Sequence, residues 1–402
     1  MSGLLAAAAK NAIAEVPAAA KADTAARAMS IAIYLHDLAG GGAERQSLII
    51  AEEFRQRGAD VTLVLHRLRG QLLNQVPPGL RIVDLNSPRT LMDVPLLMKF
   101  LRKERPDILL SNVDLNNVAA LLAKGLSFSP TKVVICQHNP ISSAFVVGEQ
   151  WLYRYIAQFY RILSPLMSRA VAVSNGVARE IESLAGLPRE RVLTIHNPVV
   201  GPDFPVRSAE IVYHRWFHQP EQPVFAAAGR LVPQKDHDTL LRALALHRRH
   251  VNSRLIIWGS GPLEERLRAL AVSLGVADAV DFAGFQANVL PYIRQADAFV
   301  LSSRCEGFGN VLVEAMGCGT PVISTRCEHG PAEILNDGQY GLLVEPRNPE
   351  QLAAAMDEVA SLRTRFPAET LRQRSADFSY AACALRYIGV FKALVPNRVW
   401  VA

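Results

Sequence analysis

The sequence predicts an α/β protein of two doubly wound, parallel-sheet domains facing each other, with a final helix that returns to the first domain. Three observations predict it. Short apolar runs alternate with amphipathic stretches along most of the chain, and this alternation builds a parallel sheet covered by helices on both faces. A Pro- and Gly-rich segment near 197–222 interrupts the alternation, which then resumes. Finally, 402 residues are too many for one ordinary core and suit two.

From Ser30, SIAIYLHDL is a short buried strand, GGGAERQSLIIAEEFRQRG a glycine turn and helix, and ADVTLVLH the next strand. LRIVDL, PDILLSN, KVVICQHN and AVAVSN continue the series, and Ser174 with Asn175 opens the helix GVAREIESLAG. VLTIHNPVVGPDFPV closes the first half, and RSAEIVYHRWFHQPEQP completes the link. The second half runs through VFAAAGR, RLIIWGSG, AVDFAGF, DAFVLSS, TPVISTR and YGLLVE. Beyond Glu350 the chain is largely helical, and YAACALRYIGVFKALV is the stretch expected to cross back. Residues 1–29 are then a flexible Ala-rich extension, 30–200 the first domain, 201–377 the second and 378–402 the returning helix.

Composition narrows the partners. The net charge of +6, from 43 basic and 37 acidic residues, favours an anion such as a nucleotide, a phosphate or a membrane surface. No concentrated basic arm and no zinc-finger spacing point to nucleic acid. Cys136, Cys305, Cys318, Cys327 and Cys383 are odd in number and contain no Cys-x-x-Cys pair, so neither a disulfide framework nor a zinc site is expected and a cytoplasmic setting fits. No apolar run reaches the length of a membrane span. The N-terminal stretch is a poor export signal, because no basic residue precedes Lys10, which cuts its apolar run. A surface-associated helix and a chain start at Met29 are the alternatives for it.

In doubly wound sheets ligands bind beyond the carboxyl ends of the strands. After the first strand, AGGGAER supplies Gly41 and Gly42 ahead of a helix start, where amides approach an anion; a plain tight turn is the alternative. Arg230 and Lys235 leave the first strand of the second half, and two cations there clamp a diphosphate unless they are only solvated charges. Gly259 and Gly261 of WGSGPLEERL form another glycine turn before a helix, and GFQANVLPY offers backbone to frame a planar base. Glu306 follows the strand DAFVLSS, the amides of Gly307 to Val311 open a helix, and Glu314 lies about two turns beyond Glu306. Ionised carboxylates beside a diphosphate repel it unless they accept hydrogen bonds elsewhere, and sugar hydroxyls are the natural donors. Amides for phosphate and acids for hydroxyls describe a nucleotide sugar.

The Glu306-x7-Glu314 block resembles the signature of the retaining glycosyltransferases of family 4, which have the two-domain GT-B fold. GRLVPQK, EAMGCGTPVISTRCEHGPAEIL, YGLLVEPRNPEQLAAAM and the N-terminal GGAER are similar to the same family, over roughly residues 30–360. The resemblance implies that Arg230 and Lys235 bind the donor diphosphate and help the nucleotide leave. It also implies that Glu314 holds the ribose, Glu306 the transferred sugar, and the amides of Phe308, Gly309 and Asn310 the phosphates. Gly41 and Gly42 would approach from across the cleft, and His138 of QHNPIS would lie near the reacting centre; a structural histidine capping the Asn139-Pro140 turn is its alternative. No Asp-x-Asp metal motif appears and no cofactor is implied, so metal independence is expected, with UDP preferred over GDP by family frequency.

The acceptor, a glycan or a lipid-linked glycan, is expected on the first domain. In EQWLYRYIAQFYRILSPLMSRA, Trp151, Tyr155, Phe159 and Ile162 repeat at helical spacing, with Arg154, Gln158 and Arg161 on another face. This is either a helix packed on its own domain or a surface resting on anionic lipid at the cytoplasmic face of the inner membrane. A nucleotide-sugar epimerase, a phosphorylase and a non-catalytic nucleotide-sugar-binding protein are the functional alternatives.

Overall fold

The computed structural model describes residues 27–143, 150–217, 222–361 and 366–400, and at 143 and 150–154 the backbone alone. The first sheet has seven strands: β1 (Ser30–Leu35), β2 (Asp60–Leu65), β3 (Arg81–Asp84), β4 (Ile108–Asn112), β5 (Lys132–Gln137), β6 (Arg169–Ala172) and β7 (Val192–Thr194). Their order is β3-β2-β1-β4-β5-β6-β7, with parallel pairing throughout. The second sheet has six: β8 (Val224–Ala228), β9 (Arg254–Trp258), β10 (Val280–Gly284), β11 (Ala298–Leu301), β12 (Val322–Thr325) and β13 (Leu342–Val344). Their order, β10-β9-β8-β11-β12-β13, is also parallel and repeats the first six places of the first sheet.

Each sheet reverses direction beside its first strand, between β1 and β4 and between β8 and β11, and the crevice at such a reversal is where ligands bind. Strands covered on both faces read as unbroken apolar runs. Thus Ile31 to Leu35 are all buried, with Ile33 on one side of the sheet and Tyr34 on the other. Strand β7 lies inside VLTIHNPVV, which the sequence reading used only to close the first half. It is three residues long and Pro198 follows closely, so it carries little of a strand's pattern.

The returning helix, Tyr380–Leu394, joins the first domain's core. Ser379 caps it by accepting from the Ala382 amide, and Tyr387 and Phe391 set their rings edge-on to Phe54 at 6.0 and 5.4 Å between centroids. Phe391 is fully buried there, a burial that contributes about 1.5–3 kcal/mol. Met29, counted with the extension in the sequence reading, is fully buried and donates its amide to Val399 O at 3.3 Å. Residues 1–26 of that extension lie outside the described residues.

The interdomain cleft as candidate active site

Loops from the carboxyl ends of β1 and β5 meet loops from β8, β9, β10 and β11 around a cavity of about 480 Å³. Gly42, His138, Arg230, Lys235, Gly259, Glu306, Phe308, Gly309, Asn310 and Glu314 all line it. Gly41 and Gly261 do not. Gly41 is the residue before helix Gly42–Gln56, and Gly261 serves packing, because a Cβ there would lie 2.5 Å from Leu231 O. Gly259 combines both roles: φ is +134° and a Cβ would sit 2.0 Å from Gly229 O.

On the second-domain wall, Lys235 Nζ lies 2.6 Å from Glu306 Oε1, and Ser303 Oγ donates to the same oxygen at 2.6 Å. Three further side-chain bonds hold the loops after β8 and β11 together. Gln234 Nε2 donates to Cys305 O at 3.0 Å, Ser302 Oγ to Lys235 O at 2.9 Å, and Arg304 Nη2 to Asp236 Oδ1 at 2.8 Å. Removing one partner of the shielded Lys235–Glu306 pair would strand the other's charge. Arg230, by contrast, is exposed at the cleft.

Helix Asn310–Cys318 begins at Gly309, whose φ of +101° turns the chain into the helix, and its first residues Asn310 and Val311 line the cavity. Glu314 is half-buried in that helix. Loss of water raises its carboxyl above the ordinary value, and Arg45 from the first domain and Arg207 act in the opposite sense.

The first-domain wall carries less charge. Burial lowers the His138 pKa to about 4, so the imidazole is neutral near pH 7. Its Nε2 is 3.0 Å from Asn112 Oδ1; with that oxygen accepting, Nε2 holds the proton and Nδ1 is an acceptor. Val113, next to Asn112, has φ of +74°, a strained value for a β-branched residue.

Sequence reasoning counted Gly307 only among the helix-opening amides and missed Asn197 and the ring of Phe285. Gly307 fits only as glycine, since a Cβ would lie 1.9 Å from His138 O; this is where the two walls touch. Asn197 donates from Nδ2 to Asn310 Oδ1 at 2.9 Å, joining the link to the helix that faces the cleft. Phe285 lines the cavity and is 72% exposed, an open ring face on the base-framing loop. Only the Gly-Phe-Gly at 307–309 gave a local signal.

The helix Gln150–Leu163 packs inward through Ile156, Tyr160 and Leu163, while Tyr155, Phe159 and Ile162 face outward at 57%, 37% and 72% exposure. The side chains of Trp151 and Arg154, named with it above, lie outside the described residues. Among the described residues no helix is long and apolar enough to cross a membrane.

Two facing doubly wound domains with a polar cleft at their strand ends are the architecture of the GT-B glycosyltransferases. The chain belongs to glycosyltransferase family 4: residues 40–200 match the model described as Glycosyltransferase Family 4, and residues 213–377 that of Glycosyl transferases group 1. It is 28% identical over 355 residues to LpsE, a lipopolysaccharide core biosynthesis glycosyltransferase of Rhizobium meliloti, covering 87% of this chain and 95% of that one. Over a shorter span of 149 residues it is 37% identical to a GDP-mannose-dependent phosphatidylinositol monomannoside mannosyltransferase of Mycolicibacterium smegmatis, covering 35% of this chain and 39% of that one. The fold is shared with HepE of Anabaena in complex with UDP and glucose, at a TM-score of 0.74 and 22% identity over 91% of this chain and all of that one.

Proposed function

We propose that this glycosyltransferase moves a sugar, with retention at its anomeric carbon and without a metal, from a UDP-sugar to a hydroxyl of a glycan or lipid-linked glycan in lipopolysaccharide or related cell-surface synthesis. The observation that carries the reading is the cleft's second wall. It sets two cations, Arg230 and Lys235, beside a helix start and two carboxylates, within one cavity. The diphosphate takes the cations and the amides from Phe308 to Asn310. Glu314 accepts from the ribose and Glu306 from the transferred sugar, and Phe285 offers its ring to the base. Gly42, from across the cleft, lets backbone approach the phosphates.

In the transfer step the bond from the anomeric carbon to the diphosphate oxygen breaks, and the acceptor oxygen bonds to the same face of that carbon. The acceptor proton passes to the departing phosphate oxygen. Arg230 and Lys235 stabilise the charge that grows there, in a site where fixed charges act strongly. His138, neutral and with Nδ1 as acceptor, orients a hydroxyl at the reacting centre.

The lipopolysaccharide role of LpsE and the UDP complexes of HepE lean towards this acceptor and donor. The outward face of Tyr155, Phe159 and Ile162 supports peripheral contact with an anionic membrane from the cytoplasmic side. Leu126 and Phe128, at the end of the helix Asp114–Ser127 that packs on helix Gln150–Leu163, are also exposed, and Arg102 donates to the Leu126 and Ser127 carbonyls.

The test is nucleotide release from UDP- and GDP-sugars by the purified enzyme, with and without truncated lipopolysaccharide, in EDTA. Acceptor-dependent UDP release that survives EDTA is expected, with the product's anomeric configuration matching the donor's by NMR. Release abolished by EDTA, or an inverted product, contradicts the mechanism.

A further inference from the structure

The helix Asn175–Ala185 belongs to the first domain, but its cap comes from both. Ser174 Oγ accepts from the Val177 amide at 3.3 Å, as an ordinary N-cap does. The two amides ahead of it turn to the other domain: Asn175 N donates to Glu333 Oε2 at 2.9 Å and Gly176 N to Glu333 Oε1 at 3.3 Å. Glu333 sits on the short turn Pro331–Ile334, and the same carboxylate lies 3.2 Å from His196 Nε2, just beyond β7. A helix start is the favoured place for a carboxylate, and here each domain supplies one half of the contact.

The clasp is joined to the cleft on both sides. The His196 ring stacks on Phe308 with centroids 5.1 Å apart and planes at 22°. Gly330, three residues before Glu333, is so close to Phe308 that a Cβ would lie 1.9 Å from its carbonyl oxygen. Gly176 is equally tight, since a Cβ there would meet His329 Nδ1 at 1.9 Å. The turn itself is anchored to its own domain, as Arg374 donates to Glu333 O at 2.7 Å and to Ile334 O at 3.0 Å. Burial works against the Glu333 charge, but the bonds from His196, Asn175 and Gly176 hold its pKa below the ordinary value.

We infer that Glu333 is a positioning residue: by capping the first domain's helix from the second domain and holding His196, it sets the register in which His138 and Gly42 face the donor. It touches neither diphosphate nor sugar in this arrangement, because it does not line the cleft. The inference rests on the transfer reaction proposed above for its kinetic consequence, but not for its structural one.

The test compares wild-type, Glu333→Ala and Glu333→Gln enzymes by small-angle scattering, UDP calorimetry and transfer kinetics. Glu333→Ala is expected to enlarge the radius of gyration and lower kcat by about tenfold or more, with UDP affinity within about twofold of wild type. Glu333→Gln keeps one acceptor oxygen and should recover part of the rate. It also carries the test if the alanine variant fails to fold. Unchanged scattering and rate would overturn the inference, as would a loss of UDP affinity equal to the loss of kcat. If the wild type consumes no nucleotide sugar, the transfer reading fails alone and scattering still decides the clasp.

Discussion

Arg230, Lys235, Glu306 and Glu314 crowd the second-domain wall of the cleft, while the opposite wall presents a neutral His138, Asn139 and the glycine turn at Gly42. The sheets behind both walls share one strand order, so the same kinds of loops reach the cleft from each side. Their chemistry is divided all the same. A donor that carries phosphates needs fixed charge and open amides, whereas an acceptor hydroxyl needs a neutral acceptor and close backbone. The difference suggests that the second domain binds and activates, and the first aligns.

Lys235→Ala attacks this division hardest. It removes the cation proposed to meet the growing phosphate charge and strands Glu306, so the loss in kcat/KM should be about 2–4 kcal/mol, roughly thirty- to a thousandfold. A folded Lys235→Ala enzyme with near wild-type turnover would break the comparison.

Acid comes next. His138 on one wall and His237 behind the other are both held down to about 4 by burial. Each binds a proton more readily in the unfolded chain, so stability is full above pH 6.5 and falls as pH drops towards 4 by about 1 kcal/mol per histidine per unit. Melting followed from pH 7.5 to 4.5 should show this, and His138→Gln should make the slope shallower by that one histidine's share. An unchanged slope would mean that the first wall's histidine is not held neutral.

The two carboxylates should separate by about tenfold. Glu314→Ala should weaken UDP binding by that factor, about 1.4 kcal/mol, whereas Glu306→Ala should leave UDP binding nearly intact and lower turnover and sugar selectivity. Equal losses of UDP affinity for both would contradict the split.

The smallest effect concerns the outer face of the first domain. Each basic side chain near an anionic surface contributes about 1 kcal/mol, which salt screens within a Debye length. The protein should float with anionic liposomes at low salt and be released at high salt. Failure to float at low salt would make the Tyr155–Phe159–Ile162 face an ordinary solvent surface.

Much of this was legible in the sequence for a physical reason: strands buried on both faces and helices on a 3.6-residue period leave patterns within single windows. The returning helix could be read from its apolar run, and Glu306 with Glu314 from their spacing around Gly-Phe-Gly. What stayed hidden was pairing over distance. Lys235 and Glu306 are 71 residues apart and Glu333 and Asn175 are 158 apart, and no local pattern registers either contact. Periodicity also finds apolar stripes without saying which is inside. In Gln150–Leu163 the stripe singled out in the sequence is, where described, the outer one, and Ile156, Tyr160 and Leu163 form the inner one. Gly261 looked like its neighbour Gly259, yet it does not line the cleft and packs tightly against Leu231.

The division of labour between the walls is tested most directly by UDP calorimetry on His138→Ala beside its transfer rate. The account predicts UDP affinity within about twofold of wild type and turnover reduced by tenfold or more. A loss of UDP affinity matching that of Glu314→Ala, with turnover otherwise intact, would contradict it.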